Sequence, residues 1–301
     1  MEEMIYMDKK KHLLAPGHTA CAGCGLSMGA RMVIDAAGPN TMVANCTGCL
    51  EVFTTRYPQS AWEVPWVHSL FENSSAVGAG IEAALKAMGR DQEIRVIAQG
   101  GDGGTADIGL QSLSGMFERG HDVLYICYDN EAYMNTGVQR SSQTPFGTST
   151  STSPHGKASY GNPTRKKNMA KIAVAHEIPY VATATVGFDM DLKNKVKKAL
   201  SIRGPKYLHV LVPCPLGWKV ESRLTIKVAK KAVSTGIFPL VEWENGKVTN
   251  ARKITPEPVT EYLKMQGRFK HLFADNDEAR AHLASIQKFA EENIETYGLK
   301  S

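Results

Sequence analysis

At 301 residues, with 43% hydrophobic and 22% charged residues, the chain is long enough to bury one sizeable α/β core with an extension, and too apolar to be disordered. Its formal charge of +5 is spread along the sequence, which argues against nucleic acid as a partner. No stretch has the unbroken apolar length of a membrane span, and the first residues, Met1 to Lys11, are too charged for a signal peptide, so the expected setting is the cytoplasm, away from membranes.

Residues 1–14 read as a polar surface arm. Pro16-Gly17-His18 then turns into Cys21-Ala22-Gly23-Cys24-Gly25, and Leu26 to Ala37 carries apolar residues at helical spacing. Thr41 to Ala44 is a short strand running into Asn45-Cys46-Thr47-Gly48-Cys49. The stretch from Glu51 to Leu70, holding Pro58, Trp62, Pro65 and Trp66, reads as a long ordered loop packed on a neighbour. Ser74 to Met88 is a helix whose small residues Gly78, Gly80 and Ala84 allow a close approach of another backbone.

An apolar run, Ile94 to Ala98, leads into Gln99-Gly100-Gly101-Asp102-Gly103-Gly104. A helical segment follows, and a second apolar run, Val123 to Tyr128, stops at Asp129-Asn130-Glu131. Two buried strands joined by one helix and ending in Gly or Asp/Asn loops are how a parallel sheet presents a ligand site. Ser141 to Asn162, polar and without periodicity, directly follows that site and reads as an active-site loop ordered by partners. The basic run Arg165-Lys166-Lys167 reads first as a solvated helix start. Asn168 to His176 is helical, Tyr180 to Thr185 a strand, Asp189 to Ser201 a helix and Tyr207 to Val212 a strand, which ends at Pro213-Cys214-Pro215. Alternating strands and helices predict an α/β fold, a parallel sheet with helices on both faces. Beyond residue 236 the character changes to a hairpin around Glu244-Asn245-Gly246 and two charged helices, near Glu257 to Phe273 and Asp277 to Tyr297. The expected division is an arm at 1–14, one main domain at 15–236 and a C-terminal extension at 237–301.

Asp102 closes one of the two central strands and Asn130 the other, so both side chains should reach one crevice. The flanking Gly101 and Gly103 leave backbone open to a phosphate. A carboxylate and an amide oxygen there suit a hard cation such as Mg²⁺ shared with a diphosphate. The glycines do not form G-x-G-x-x-G, and no Gly-Lys-Ser/Thr follows. The arrangement resembles the thiamine-diphosphate motif, which begins Gly-Asp-Gly and ends in an Asn-rich pair one βαβ unit later. The resemblance implies that Asp102, Asn130 and the backbone carbonyl of Ala132 ligate Mg²⁺, with Asp129 standing where many members have a first Asn. It also implies the diphosphate-binding half of that fold. The other half binds the aminopyrimidine and supplies an activating glutamate; too little chain remains for it, so a different polypeptide is expected to complete the site.

Six cysteines in such a chain are not a disulfide framework. The pairs Cys21-x-x-Cys24 and Cys46-x-x-Cys49 are compatible with a zinc ribbon, a redox dithiol or a [4Fe–4S] cluster. Taken in order, Gly17-His18-x-x-Cys21-x-Gly23-Cys24-Gly25, Asn45-x-Thr47-Gly48-Cys49, the thiamine motif running on through Asn135-Thr136-Gly137, and Pro213-Cys214 resemble the β subunits of 2-oxoacid:ferredoxin oxidoreductases. The likeness runs from about residue 12 to residue 236, with the pyruvate enzymes as the best match.

The resemblance implies a cluster held by Cys21, Cys24, Cys49 and Cys214, with Cys46 and Cys127 as small buried residues. A zinc ribbon would instead need Cys46 and leave Cys214 idle. It implies Asn135 as the catalytic residue near the substrate, and Thr47 and Gly48 as backbone donors near the cofactor. His18 either tunes the cluster through a hydrogen bond or caps a turn; His68 and His155 carry no pattern. Lys166 and Lys167 as contacts for coenzyme A phosphates are the lesser reading of the basic run. The implied reaction takes pyruvate, coenzyme A and oxidised ferredoxin to acetyl-CoA, CO₂ and reduced ferredoxin. The implied partners are an α subunit with the aminopyrimidine-binding domain, a γ subunit, a ferredoxin-like δ subunit and external ferredoxin. The alternatives are another 2-oxo acid (branched-chain, or oxalate) and a zinc-ribbon-bearing assembly subunit without chemistry.

Overall fold

The structure, a computed structural model, describes residues 12–301. Its centre is a strand pair: β3 (Arg95–Gly101) beside β4 (Val123–Asp129), parallel and in register from Val96 opposite Val123 to Gly101 opposite Tyr128. β4 is buried at every position, as a strand covered on both faces must be. On one side lie β1 (Thr41–Asn45) and the edge strand β2 (Trp66–His68); on the other, β8 (Lys206–Leu211), then β7 (Tyr180–Thr185). All of these run parallel. A separate short hairpin, β5 (His155–Gly156) with β6 (Ser159–Tyr160), lies in the loop after β4.

Side chains alternate between the faces as the pleat requires. Leu124, Ile126 and Tyr128 join α1 (Gly25–Ala37) and α6 (Asp189–Ser201) in one core. Val123, Tyr125 and Cys127 face the opposite core with α3 (Ser74–Ala87), α4 (Leu110–Glu118) and α5 (Met169–Ala175). Cys127 is thus a fully buried core residue. On α3 only Gly78 makes the expected close approach, a Cβ there lying 3.1 Å from that of Ala98; Gly80 and Ala84 face outward.

Several local expectations change. Glu51 to Leu70 is not one long loop: it contains most of α2 (Cys49–Thr54) and all of β2, both too short to show a period. Residues 1–11 of the expected arm lie outside the described residues. Leu14, at its end, is wholly buried and bridged to Trp62, and Leu13 N–H donates to Asp35, so the chain is already tied to the core there.

The hairpin predicted beyond 236 forms as β9 (Val241–Glu244) and β10 (Lys247–Ala251), turning through Asn245 and Gly246, both at positive φ. β9 pairs antiparallel with β7, so this part of the extension finishes the main eight-stranded sheet. The helix expected over 257–273 is broken into α9 (Thr260–Leu263) and a 3₁₀ stretch, Gly267–Phe273. The last helix, α10 (Asp277–Thr296), is capped by Asn276, whose side chain accepts from the Ala279 N–H. The extension, α7 (Pro215–Trp218) and α8 (Thr225–Ser234) share a third apolar core that includes Trp218, Phe238, Tyr262, Phe269 and Ile286. No helix among the described residues is long and apolar enough to cross a membrane.

Candidate active site

The C-terminal ends of β1, β3 and β4 open into a cleft of about 80 Å³. Nine of the residues singled out in the sequence line it: Thr47, Gly48, Cys49, Gly101, Asp102, Gly103, Asn130, Ala132 and Asn135. Asp102, at the end of β3, is 1% exposed, and Ser141 Oγ donates to its Oδ2 at 2.5 Å. Burial, then the negative charge of Asp129, pushes the Asp102 carboxyl well above its ordinary range. A terminal amide atom of Asn130 lies 3.0 Å from Asp102 Oδ1 and 2.8 Å from the backbone oxygen of Ala132. Placed as nitrogen, that atom donates to both; placed as oxygen, it completes a three-oxygen cluster that a cation would reconcile. Gly101 is open to the cleft, since a Cβ there meets nothing within 4 Å.

Gly103 is required for a different reason. A Cβ there would stand 2.2 Å from the ring of Tyr133, whose hydroxyl donates to Asp107 Oδ2 at 3.0 Å. Gly103→Ala should therefore cost about 1–3 kcal/mol by overpacking, read as a lower melting temperature, and displace the Asp102 turn. Asn135 is exposed at the mouth and makes no hydrogen bond among the described residues. Thr47 Oγ1 lies 2.8 Å from His68 Nε2, and Gly48, at φ 151°, starts α2.

Cys49 joins this cleft to the cysteines. Burial pushes its thiol up to about 12, and the charges of Cys214, Cys24, Cys21 and Asp102 add to the effect in that order. Its neighbours are thus the other three expected cluster ligands. Among the described residues, no group of such side chains closes tightly enough to hold a single metal ion. Cys46 also borders the cleft, but the residue is 2% exposed and its thiol is engaged, donating to Ser74 Oγ at 2.9 Å. His18 packs on Phe53 and accepts from the Ala20 N–H at 3.4 Å, a turn cap.

The residues that sequence reading missed support the Asn130 loop from behind. Lys166 is not a solvated helix start. Its ammonium donates to Asp129 Oδ2 at 2.6 Å and to Glu131 Oε1 at 2.7 Å. Lys167 donates to the backbone oxygen of Ala106. His209 Nε2 lies 2.9 Å from Asp129 Oδ2, and the Tyr207 hydroxyl lies 2.8 Å from its Nδ1. Burial would raise the Asp129 carboxyl, but Lys166 and His209 more than offset it and hold it at about 2. Glu131, at φ 71°, is held in a strained conformation by Lys166 and Arg268. The loop from Ser141 to Asn162 is ordered by this chain itself: Thr144 Oγ1 donates to the Glu131 carbonyl at 2.8 Å, and Ser149 N to that of Arg268 at 3.2 Å. A His inside the apolar strand Tyr207 to Val212 was the one visible signal for this support.

Residues 46–210 match the family described as thiamine pyrophosphate enzyme, C-terminal TPP binding domain. The chain is therefore a thiamine-pyrophosphate-binding domain of the kind its fold and cleft define. It is 53% identical to the pyruvate synthase subunit PorB of Methanosarcina barkeri, over 96% of this chain and 98% of that one. It is also 53% identical to the PorB of Methanocaldococcus jannaschii, over 98% of this chain and all of that one. The ketoisovalerate oxidoreductase subunit VorB of Pyrococcus abyssi is 47% identical over 90% of this chain and 92% of that one. The 2-oxoglutarate:ferredoxin oxidoreductase of Magnetococcus marinus shares the fold, with a TM-score of 0.57 at 20% identity over 93% of this chain and 97% of that one. The chain belongs to the β subunits of the 2-oxoacid:ferredoxin oxidoreductases.

Proposed function

We propose that the chain is the β subunit of a pyruvate:ferredoxin oxidoreductase, which turns pyruvate, coenzyme A and oxidised ferredoxin into acetyl-CoA, CO₂ and reduced ferredoxin. The observation that carries this reading is that Cys49 lines the same cleft as Asp102 and Asn130 while neighbouring Cys21, Cys24 and Cys214. Cys49 is the residue common to the oxygen site for a metal–diphosphate and the group of thiols.

The donors fit the groups. Asp102, Asn130 Oδ1 and the Ala132 carbonyl are the three hard oxygens that Mg²⁺ takes when it shares a diphosphate. Bound there, thiamine diphosphate supplies the nucleophilic carbon and the electron sink for decarboxylating a 2-oxo acid. Cys21, Cys24, Cys49 and Cys214 are the four thiolates for a [4Fe–4S] cluster, a one-electron carrier. Ser141 holds the Asp102 carboxylate in place. Asn135, unpaired at the mouth, is placed to donate to the substrate carboxylate or to a developing oxyanion. Thr47 and Gly48 line the same cleft and are the proposed backbone N–H donors to the cofactor.

The activating glutamate comes from an α subunit, so the isolated chain is inactive. A γ subunit, a ferredoxin-like δ subunit and external ferredoxin complete the cytoplasmic assembly. Pyruvate is favoured by the 53% identity to pyruvate synthase subunits, against 47% to the ketoisovalerate enzyme.

The test is anaerobic purification of the complex, followed by metal analysis and dye reduction on a panel of 2-oxo acids. The expected result is about four irons and four sulfides per β chain beyond those of the ferredoxin-like δ subunit, lost in Cys214→Ala, and the highest kcat/KM on pyruvate. Zinc in the β chain, with iron and sulfide accounted for by the δ subunit alone, would sink the cluster assignment. A preference for 3-methyl-2-oxobutanoate would transfer the chain to the branched-chain enzymes.

A further inference from the structure

Arg268 belongs to the C-terminal extension, the part of the chain that carries none of the family's motifs, yet it contacts Glu131, next to Asn130, and Trp218, in the helix that Cys214 caps. It is 2% exposed. Its Nη2 donates to Glu131 Oε2 and, at 2.7 Å, to Gln266 Oε1, which also accepts from its Nε at 3.0 Å. The guanidinium lies 3.9 Å above the Trp218 ring. Its Nη1 is buried without a hydrogen-bond partner among the described residues.

Trp218 links the two sides. Its backbone N–H donates to the carbonyl of Cys214 at 2.9 Å, and its indole N–H donates to the carbonyl of Asn130 at 2.8 Å. One residue therefore bonds to a proposed cluster ligand through its backbone and to a proposed Mg²⁺ ligand through its ring, and one buried cation is stacked on that ring. A lysine at 268 would keep the charge but lose the planar fork and the stack.

We infer that Arg268 is a positioning residue with two separable actions: its charge raises the reduction potential of the cluster held at Cys214, and its fork, through Glu131 and Trp218, sets the Asn130 loop that binds metal–diphosphate. This rests on the function proposed above and assigns the extension a place in the chemistry.

The experiment uses the whole complex, with the cluster potential read by anaerobic redox titration and thiamine diphosphate affinity read separately. In Arg268→Gln the cluster's one-electron equilibrium shifts about tenfold toward the oxidised form, about 59 mV to lower potential. Cofactor affinity falls about tenfold in the same variant. In Arg268→Lys the potential stays near that of the unsubstituted complex while affinity falls. In Trp218→Phe, which keeps the ring and loses the donor to Asn130, affinity again falls without a change of potential.

A potential unchanged in Arg268→Gln, with the cluster intact, overturns the electrostatic role. If that variant does not assemble, unchanged affinity in Arg268→Lys and Trp218→Phe overturns the positioning role. Absence from the unsubstituted complex of any iron and sulfide beyond those of the δ subunit would defeat the cluster assignment itself, and so separates that failure from this one.

Discussion

Asp102→Asn leaves a complex that assembles and melts at or above the temperature of the cofactor-free parent, yet binds thiamine diphosphate and Mg²⁺ at least about 100-fold more weakly. The two halves of this result have different causes. In the absence of a cation Asp102 is a liability: it is 1% exposed, and burial and the nearby Asp129 push its carboxyl well up. The isosteric amide removes a buried charge and can still accept from Ser141 Oγ, so folding loses nothing. The cation loses one of its three convergent oxygens as an anion, the one that offsets most of its charge. Outer partners of metal sites alone cost 10- to 100-fold, so about 100-fold is a lower bound for a direct ligand. Titration of the apo-complex with cofactor at fixed Mg²⁺, with melting curves in parallel, checks both halves. Binding within about threefold of the parent would mean that the cleft is not the diphosphate site.

The fold and the front of the site were legible because they depend on local pattern. β3 and β4 announce themselves as short apolar runs because both of their faces are covered, and the turn residues beyond them lie next to them in sequence. The back of the site was not legible. Lys166, His209 and Arg268 reach Asp129 or Glu131 from 37, 80 and 137 residues away. Only packing brings them there, and nothing in the spacing of a Lys-Lys pair or of Gly-Arg-Phe-Lys separates a buried ion-pair partner from a solvated charge. Leu14 was missed for the opposite reason: one apolar residue beside a charged run has no period, although it is wholly buried against Trp62.

Cys214→Ala should abolish ferredoxin reduction while Cys46→Ala leaves it nearly intact, and this pair decides which four of the six cysteines matter. Spacing alone favours Cys46, since two C-x-x-C pairs make a familiar zinc set. Packing favours Cys214. Cys46 points into the core, bonded to Ser74 and near Tyr125, so its loss costs packing and one hydrogen bond, about 1–3 kcal/mol. Cys214, like Cys24 and Cys21, is an electrostatic neighbour of Cys49, and among the described residues its thiol's one hydrogen bond is the 3.3 Å acceptance from the Gly217 N–H. Losing that bond costs about 1 kcal/mol, too little to unfold the complex, so the loss of activity must come from the missing ligand. Because Asp102, Asn130 and Ala132 are untouched, Cys214→Ala should still bind thiamine diphosphate normally. Iron and sulfide content, dye reduction and cofactor affinity, measured on both variants, separate the outcomes. A Cys46→Ala complex that loses its metal while Cys214→Ala keeps it would restore the zinc ribbon and remove the electron exit from this cleft.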